Sequence, residues 1–352
     1  MIELATKTEL ISKPQATSEI IKVDNLVLTY ADGTKAVQDI SFTVKEGEVF
    51  GFLGPNGAGK STTIKILTTL LHKTSGLAVI AGLDLDRSPK EIRKLIGVQA
   101  QETAVDPELT GRENMILQGN LQQMHGKELE ERVDSLLNVV GLKDAADKRA
   151  GRYSGGMKKR LDLGCTLVHK PKILFLDEPT TGLDPQSRAT VWDYLEELNK
   201  KEGITIFLTT QYLEEADRLC ENLCIVDGGK IVAEGSPSEL KQEIGADAIT
   251  ITMRDANGKY DETVRTAGRE ILATLPNVIN VVDSGDGLTV YAKNGGAFVP
   301  DLVRAFDKTM IKLISINLSM PSLDDVFLKH TGKRIRVEEL SKQMPSRMFG
   351  RR

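Results

Sequence analysis

The stretch Gly54-Pro55-Asn56-Gly57-Ala58-Gly59-Lys60-Ser61-Thr62 decides how the rest of the chain is read. It matches G-x-x-x-x-G-K-[ST], the P-loop. Its flanks fit as well. Val49–Leu53 is an apolar run that reads as a buried strand, and Thr62–Leu71 reads as a helix. A glycine-rich turn between a strand and a helix N-terminus lets backbone N–H groups approach phosphate closely. Lys60 adds a point positive charge, and Ser61 offers a hydroxyl to Mg2+.

Downstream, Leu174-Phe175-Leu176-Asp177-Glu178-Pro179 ends another apolar run with two carboxylates. An Asp at that point can hold Mg2+, directly or through water. Glu178, one residue on, points elsewhere and can polarise an attacking water. Between the two motifs stands Tyr153-Ser154-Gly155-Gly156-Met157, followed by a helical run from Lys158 to Val168. Ser154 reads as an N-cap. An exposed Ser-Gly-Gly at a helix start is also a second phosphate-binding surface, and the two readings coexist.

Ile20–Tyr30 and Ala36–Lys45 read as an antiparallel pair about Asp32-Gly33. Val79–Ala81, Ile96–Val98 and Ile204–Leu208 read as short strands, and Arg112–Val140 as helical, ending at Gly141. Strands alternating with helices imply an α/β fold with a covered parallel sheet. Asn222–Asp227 and Lys230–Ala233 form a closing hairpin about Gly228-Gly229. Beyond Gly235 the character changes. Strands at Ala248–Arg254, Val278–Asp283, Leu288–Lys293 and Ile311–Leu318 alternate with helices at Ala267–Leu275 and Ala297–Lys308. That β-α-β-β-α-β order fits a small α+β domain of ferredoxin-like type, followed by a last helix at Pro321–His330. The expected domains are a flexible segment 1–19, a nucleotide-binding domain 20–235, a C-terminal domain 236–332 and a basic tail 333–352. The tail holds seven basic and two acidic residues and reads as solvated, with contact to anionic headgroups as the alternative.

The 352 residues carry a formal net charge of -4, which argues against nucleic acid as the main partner. No apolar run approaches the ~18 residues that cross a bilayer, and the N-terminus lacks the apolar centre of a secretory signal. Cys165, Cys220 and Cys224 are too few for a disulfide framework, and no second cluster turns Cys220 and Cys224 into a metal site. Buried thiols in a reducing, cytoplasmic setting are expected. The histidines, His72, His125, His169 and His330, are dispersed and nominate no catalytic pair.

In motif order and spacing the chain resembles the ATP-binding subunits of ABC transporters, from about Ile20 to Gly235. The motifs are the P-loop, a Gln-bearing loop, Ser154-Gly155-Gly156, Asp177-Glu178-Pro179 and Thr180-Thr181-Gly182-Leu183-Asp184-Pro185. The resemblance is nearest to the daunorubicin-resistance-type exporter ATPases. They share Tyr-Ser-Gly-Gly-Met, the run Thr209-Thr210-Gln211-Tyr212-Leu213-Glu214-Glu215-Ala216-Asp217, and an ending like Pro321-Ser322-Leu323-Asp324-Asp325-Val326-Phe327-Leu328.

The resemblance implies a P-loop NTPase fold with a mixed sheet and a helical subdomain, and ATP and Mg2+ as cofactors. Tyr30 then stands where a family aromatic stacks on adenine, although a plain strand aromatic reads the same locally. Gln101, with Gln99 as competitor, matches the loop residue that touches Mg2+ and the attacking water and whose loop meets a helix of the membrane partner. Two copies would close head-to-tail, Ser154, Gly155 and Gly156 of one meeting phosphate held by Lys60 of the other. Asp184 would lie at that interface; locally it is an N-cap before Pro185. Gln211 replaces the usual switch histidine and can hydrogen-bond but not carry a proton, leaving Glu178 as the base. The implied function is ATP hydrolysis driving a separate ABC-2-type membrane permease from the cytoplasmic face, by a homodimer whose membrane contact is indirect. The alternatives are a superfamily ATPase acting on DNA or ribosomes, and a nucleotide-gated module with little turnover.

Overall fold

A computed structural model describes residues 18–244, 247–319 and 321–332. The expectations for most of segment 1–19 and for the tail 333–352 lie outside the described residues. Two compact units make up the chain. The first comprises the described residues up to Glu48 with Thr62–Phe175 and Asp193–Phe207; the second comprises Val49–Ser61, Leu176–Trp192 and the described residues from Leu208.

Strands β1 (Glu19–Thr29) and β2 (Lys35–Lys45) pair antiparallel, with buried side chains interspersed among exposed ones along both. Strand β3 (Val49–Leu53) is buried throughout and leads through the P-loop into helix α1 (Lys60–Leu67). The helix starts two residues before the expected Thr62 and ends before Leu71, where Thr69 turns left-handed at φ 63°. Strands β4 (Ser75–Ile80) and β5 (Leu83–Asp84) extend the first pair into a sheet ordered β2-β1-β4-β5. Helix α2 (Pro89–Leu95) precedes strand β6 (Ile96–Gln99).

The expected helical run from Arg112 divides into α3 (Gly111–Leu121) and α4 (Gly126–Val139). The break follows from two left-handed residues, Gln123 at φ 63° and Gly126 at φ 66°. A helix cannot run through such positions. Thr110 and Glu113 form a reciprocal capping box on α3. Helix α5 (Gly155–Leu167) starts at Ser154 and packs with α3 and α4 as a helical layer.

Strand β7 (Ile173–Asp177), helix α6 (Pro185–Glu202), strand β8 (Thr205–Thr210) and helix α7 (Leu213–Leu219) alternate as expected. Strands β9 (Asn222–Asp227) and β10 (Lys230–Gly235) form the closing hairpin, with Gly228 and Gly229 both at positive φ, as a tight primed turn needs. The resulting sheet is ordered β10-β9-β3-β8-β7-β6, and β3 and β9 run parallel. Its interior strands β3, β7 and β8 are buried at every residue, which fits the apolar runs Ile173–Leu176 and Ile206–Leu208 at their centres.

Helix α8 (Pro237–Glu243) escaped the sequence reading, although Ser236 and Glu239 cap it as a box with Pro237 at its first turn. Strand β11 (Asp247–Arg254), helix α9 (Glu262–Ala273), strands β12 (Val278–Ser284) and β13 (Gly287–Ala292), helix α10 (Gly295–Asp307) and strand β14 (Lys312–Ser319) follow. Helix α9 begins five residues before the expected Ala267 because Asp261 accepts from Val264 N–H and caps it. The sheet order β12-β13-β11-β14, antiparallel throughout, is the ferredoxin-like arrangement. Its covered face buries Ile249, Ile251, Leu288 and Val290 against Leu272, Phe298, Leu302 and Phe306. Helix α11 (Leu323–Thr331) ends the described chain. No helix among the described residues is long and apolar enough to cross a membrane.

Candidate active site

The P-loop geometry follows from its glycines. A Cβ on Gly54 would stand 2.3 Å from the Val226 carbonyl oxygen, so only glycine fits there. Gly59 has φ 101°, a backbone that L side chains rarely adopt. Gly54 N–H donates to Thr210 O at 3.2 Å, which ties the loop to the end of β8.

Lys60 is 4% exposed, and its Nζ donates to the loop's own carbonyls, Gly54 O at 2.8 Å and Pro55 O at 3.1 Å. The same ammonium sits 3.2 Å from Glu178 Oε1. Burial pulls the Lys60 pKa down, and the Glu178 and Asp177 carboxylates oppose that pull. A buried cation of this kind is stable only while paired.

Asp177 and Glu178 leave the end of β7 in different directions. Asp177 Oδ1 accepts from Ser61 Oγ at 3.1 Å and from Thr209 Oγ1 at 2.6 Å. Glu178 is left-handed at φ 50°, unusual for a residue with a side chain. Its N–H donates to Thr209 O at 3.2 Å and to Thr209 Oγ1 at 3.1 Å, which holds the turn. Thr181 Oγ1 donates to Glu178 Oε2 at 3.2 Å. The turn thus aims one carboxylate at Ser61 and the next at Lys60. Gln211, one residue past β8, is 5% exposed, and its Oε1 meets no hydrogen-bond partner among the described residues.

The other expected site residues have simple local settings. Tyr30 is 38% exposed, and its hydroxyl lies 3.1 Å from Thr62 Oγ1. The two glutamines part company. Gln99 is buried at the end of β6 and donates to Lys159 O at 3.1 Å, whereas the Gln101 side chain is exposed. Lys159 Nζ donates to Gln101 O at 2.8 Å, and Asp162 Oδ1 accepts from Ala104 N–H at 3.3 Å. Two buried charged residues on α5 therefore grip the Gln-bearing loop. Burial pushes the Asp162 pKa up. Ser154 caps α5, accepting from Met157 N–H at 3.3 Å; Ser154 and Gly155 are exposed and Gly156 is buried. Asp184 is exposed and caps α6, accepting from Ser187 N–H at 3.0 Å and Ser187 Oγ at 2.6 Å.

These groups suit ATP and Mg2+. The cradle at Gly54 admits no side chain, and Ser61 and Asp177 offer hard oxygen donors of the kind Mg2+ prefers. No group of three or more His, Cys, Asp or Glu residues among the described residues is arranged to hold a metal ion by itself. Cys220 and Cys224 are buried thiols that form no disulfide, and burial pushes the Cys224 pKa well up.

Residues 37–181 match the ABC transporter family, and residues 235–331 match the ATP-binding protein DrrA1-3-like C-terminal domain. The doxorubicin resistance ATP-binding protein DrrA of Mycobacterium tuberculosis is 42% identical over 312 residues, 88% of this chain and 93% of that protein. The chain belongs to the ABC transporter ATP-binding proteins. Among solved structures of ABC proteins, cbiO1 of Clostridium perfringens superposes with TM-score 0.60 at 32% identity, covering 64% of this chain and 93% of that one. A dimeric ATP-binding cassette in a post-hydrolysis state bound to ADP and Pi gives TM-score 0.57 at 27% identity, covering 61% of this chain and 98% of that one.

Sequence reasoning on this ABC protein missed Thr209, which accepts from Glu178 N–H and donates to Asp177. It also missed Glu215, Lys159 and Asp162. The available signal was a charged residue on an otherwise apolar helix face. Without the fold that pattern does not say which way the face points.

Proposed function

We propose that this protein hydrolyses ATP to drive a separate ABC-2-type membrane permease in an exporter. The observation that carries the reading is the buried Lys60–Glu178 pair beside Ser61 and Asp177. Lys60 neutralises phosphate charge, and the P-loop Gly54-Pro55-Asn56-Gly57-Ala58-Gly59-Lys60-Ser61-Thr62 cradles the phosphate through backbone N–H groups, Pro55 having none to offer. Ser61 and Asp177, with Gln101, would hold Mg2+, which when bound would supply charge neutralisation at the phosphates. Glu178 accepts a proton from the attacking water, and Gln211 positions that water or the phosphate by hydrogen bonding. No covalent intermediate is needed, because orientation and charge stabilisation suffice.

Tyr30 stacks on adenine. Ser154, Gly155, Gly156 and Asp184 of one copy face the Lys60 site of a second copy. The dimeric cassette with ADP and Pi supports the formation of a dimer. Residues 20–235 act as the ATP-binding domain and 236–332 as the C-terminal domain. The subunit works at the cytoplasmic face of the membrane and touches it through the permease. The relative's doxorubicin-resistance name supports drug export. A groove beside the Gln101 loop, lined by exposed Leu70 with Val98, Ala104 and Gln118, suits a docking helix of that permease.

Phosphate release from purified protein with Mg-ATP, and co-purification of a polytopic membrane protein, test the reading. Absence of phosphate release even with the permease present would sink it.

A further inference from the structure

Glu215 is fully buried on α7, four residues after Gln211, and nothing in the chemistry proposed above uses it. A buried carboxyl is costly unless its partners repay desolvation. Here one oxygen, Oε1, accepts from Thr180 Oγ1 at 2.8 Å and from Trp192 Nε1 at 2.9 Å. Thr180 lies two residues after Glu178 and is itself fully buried. Trp192 lies on α6, the helix that Asp184 caps.

Two arginines complete the arrangement. Arg218 lies over the Trp192 ring at 5.4 Å, and Arg188 lies over the ring of Tyr212, next to Gln211, at 4.5 Å. Three chain segments that carry Glu178, Asp184 and Gln211 therefore converge on one carboxylate oxygen. An apolar residue would fill the same space but would join none of them.

The geometry points to Glu215 as a positioning residue that fixes Glu178 and Gln211 relative to each other, so that both act on one phosphate. The inference rests on the proposed hydrolytic function. Burial pushes the Glu215 pKa up, against the pull of Thr210, Thr180, Trp192 and Arg188. A neutral amide keeps an acceptor oxygen, so Gln is the conservative replacement.

The test is a set of variants, Glu215→Gln, Glu215→Leu, Thr180→Val, Thr180→Ser and the double Glu215→Leu/Thr180→Val. The readouts are steady-state ATP hydrolysis, thermal unfolding and tryptophan emission. The chain contains one tryptophan, so the emission reports on Trp192 alone. Thr180→Val should lower kcat about tenfold or more with little change in KM, since small misplacements of reacting groups act on rate. Thr180→Ser and Glu215→Gln should restore or retain most of kcat.

Glu215→Leu should shift the Trp192 emission, and its kcat loss should not add to that of Thr180→Val. If Glu215→Leu fails to fold, Thr180→Val and its serine rescue still decide. Wild-type kcat in Thr180→Val overturns the inference. So does a loss of kcat that tracks unfolding and that serine does not rescue. A wild-type protein without Mg-dependent hydrolysis in the same assay removes the proposed function, and this inference with it. Normal wild-type turnover with an indifferent Thr180→Val removes only the inference.

Discussion

Lys60 Nζ and Glu178 Oε1 stand 3.2 Å apart, both side chains almost wholly out of water. Phosphate entering the P-loop must compete with Glu178 for the same ammonium. Glu178→Gln removes the charged competitor and the proton acceptor together. The variant should bind ATP at least as tightly as wild type, with turnover lower by about a hundredfold or more. Titration with a fluorescent ATP analogue and a phosphate-release assay check both halves. Unchanged turnover would take Glu178 out of its role.

Lys60→Arg should not be conservative. The ammonium fits among Gly54 O, Pro55 O and Glu178, whereas a planar guanidinium needs a wider fork. ATP affinity should fall by about tenfold or more, and an equilibrium-binding measurement would show it. Wild-type affinity would mean that the cradle has more room than these distances allow.

Asp177→Asn keeps the shape of the side chain but removes the charge beside Ser61. The Mg2+ concentration needed for half-maximal hydrolysis should rise about tenfold, since a neutral amide is a poorer ligand for a hard cation. A Mg2+ titration at saturating ATP measures this. An unchanged requirement would exclude Asp177 from holding the ion.

Gly54→Ala places a methyl 2.3 Å from Val226 O, a backbone atom that cannot swing aside. Overpacking of that kind costs about 1–3 kcal/mol. A lower melting temperature with weaker ATP binding is expected. A variant as stable as wild type would contradict the close approach.

His169 gives the fold a pH signature. Burial holds its pKa below 6.5, and its Nε2 is 2.9 Å from Ile96 O. A base with a depressed folded pKa binds fewer protons folded than unfolded. Its contribution is intact above the unfolded value and is lost as pH falls through about 6.5 and below. Asp162 and Glu215, with raised pKa values, act in the opposite sense, so the comparison must be between variants. Urea unfolding at about pH 7.5 and about pH 5.5 should show a larger loss for wild type than for His169→Gln. Parallel losses would rule His169 out as the source.

The P-loop and the Asp-Glu strand end were legible because their chemistry is local. Glycines, a lysine and paired acids sit within a few residues, and the strands around them are buried on both faces. The order of the C-terminal strands was legible for the same reason, since alternation and turn residues are short-range signals. What stayed hidden depends on distant segments meeting. Thr209 matters because β8 lies beside β7, and Glu215 because α7, α6 and the turn after Glu178 converge. The break between α3 and α4 was missed because Gln123 adopts a left-handed backbone that its side chain does not announce. Helix α8 was missed although its cap was written out at Ser236, Pro237 and Glu239.

Lys159 and Asp162 sit one and two turns along the helix that Ser154 begins, each bonded to the loop that follows β6. Two hydrogen bonds, at Gln101 O and Ala104 N–H, tie the loop to that helix. A displacement of the Gln101 loop is thus handed to the first two turns of the helix, beside the serine-glycine tip that starts it.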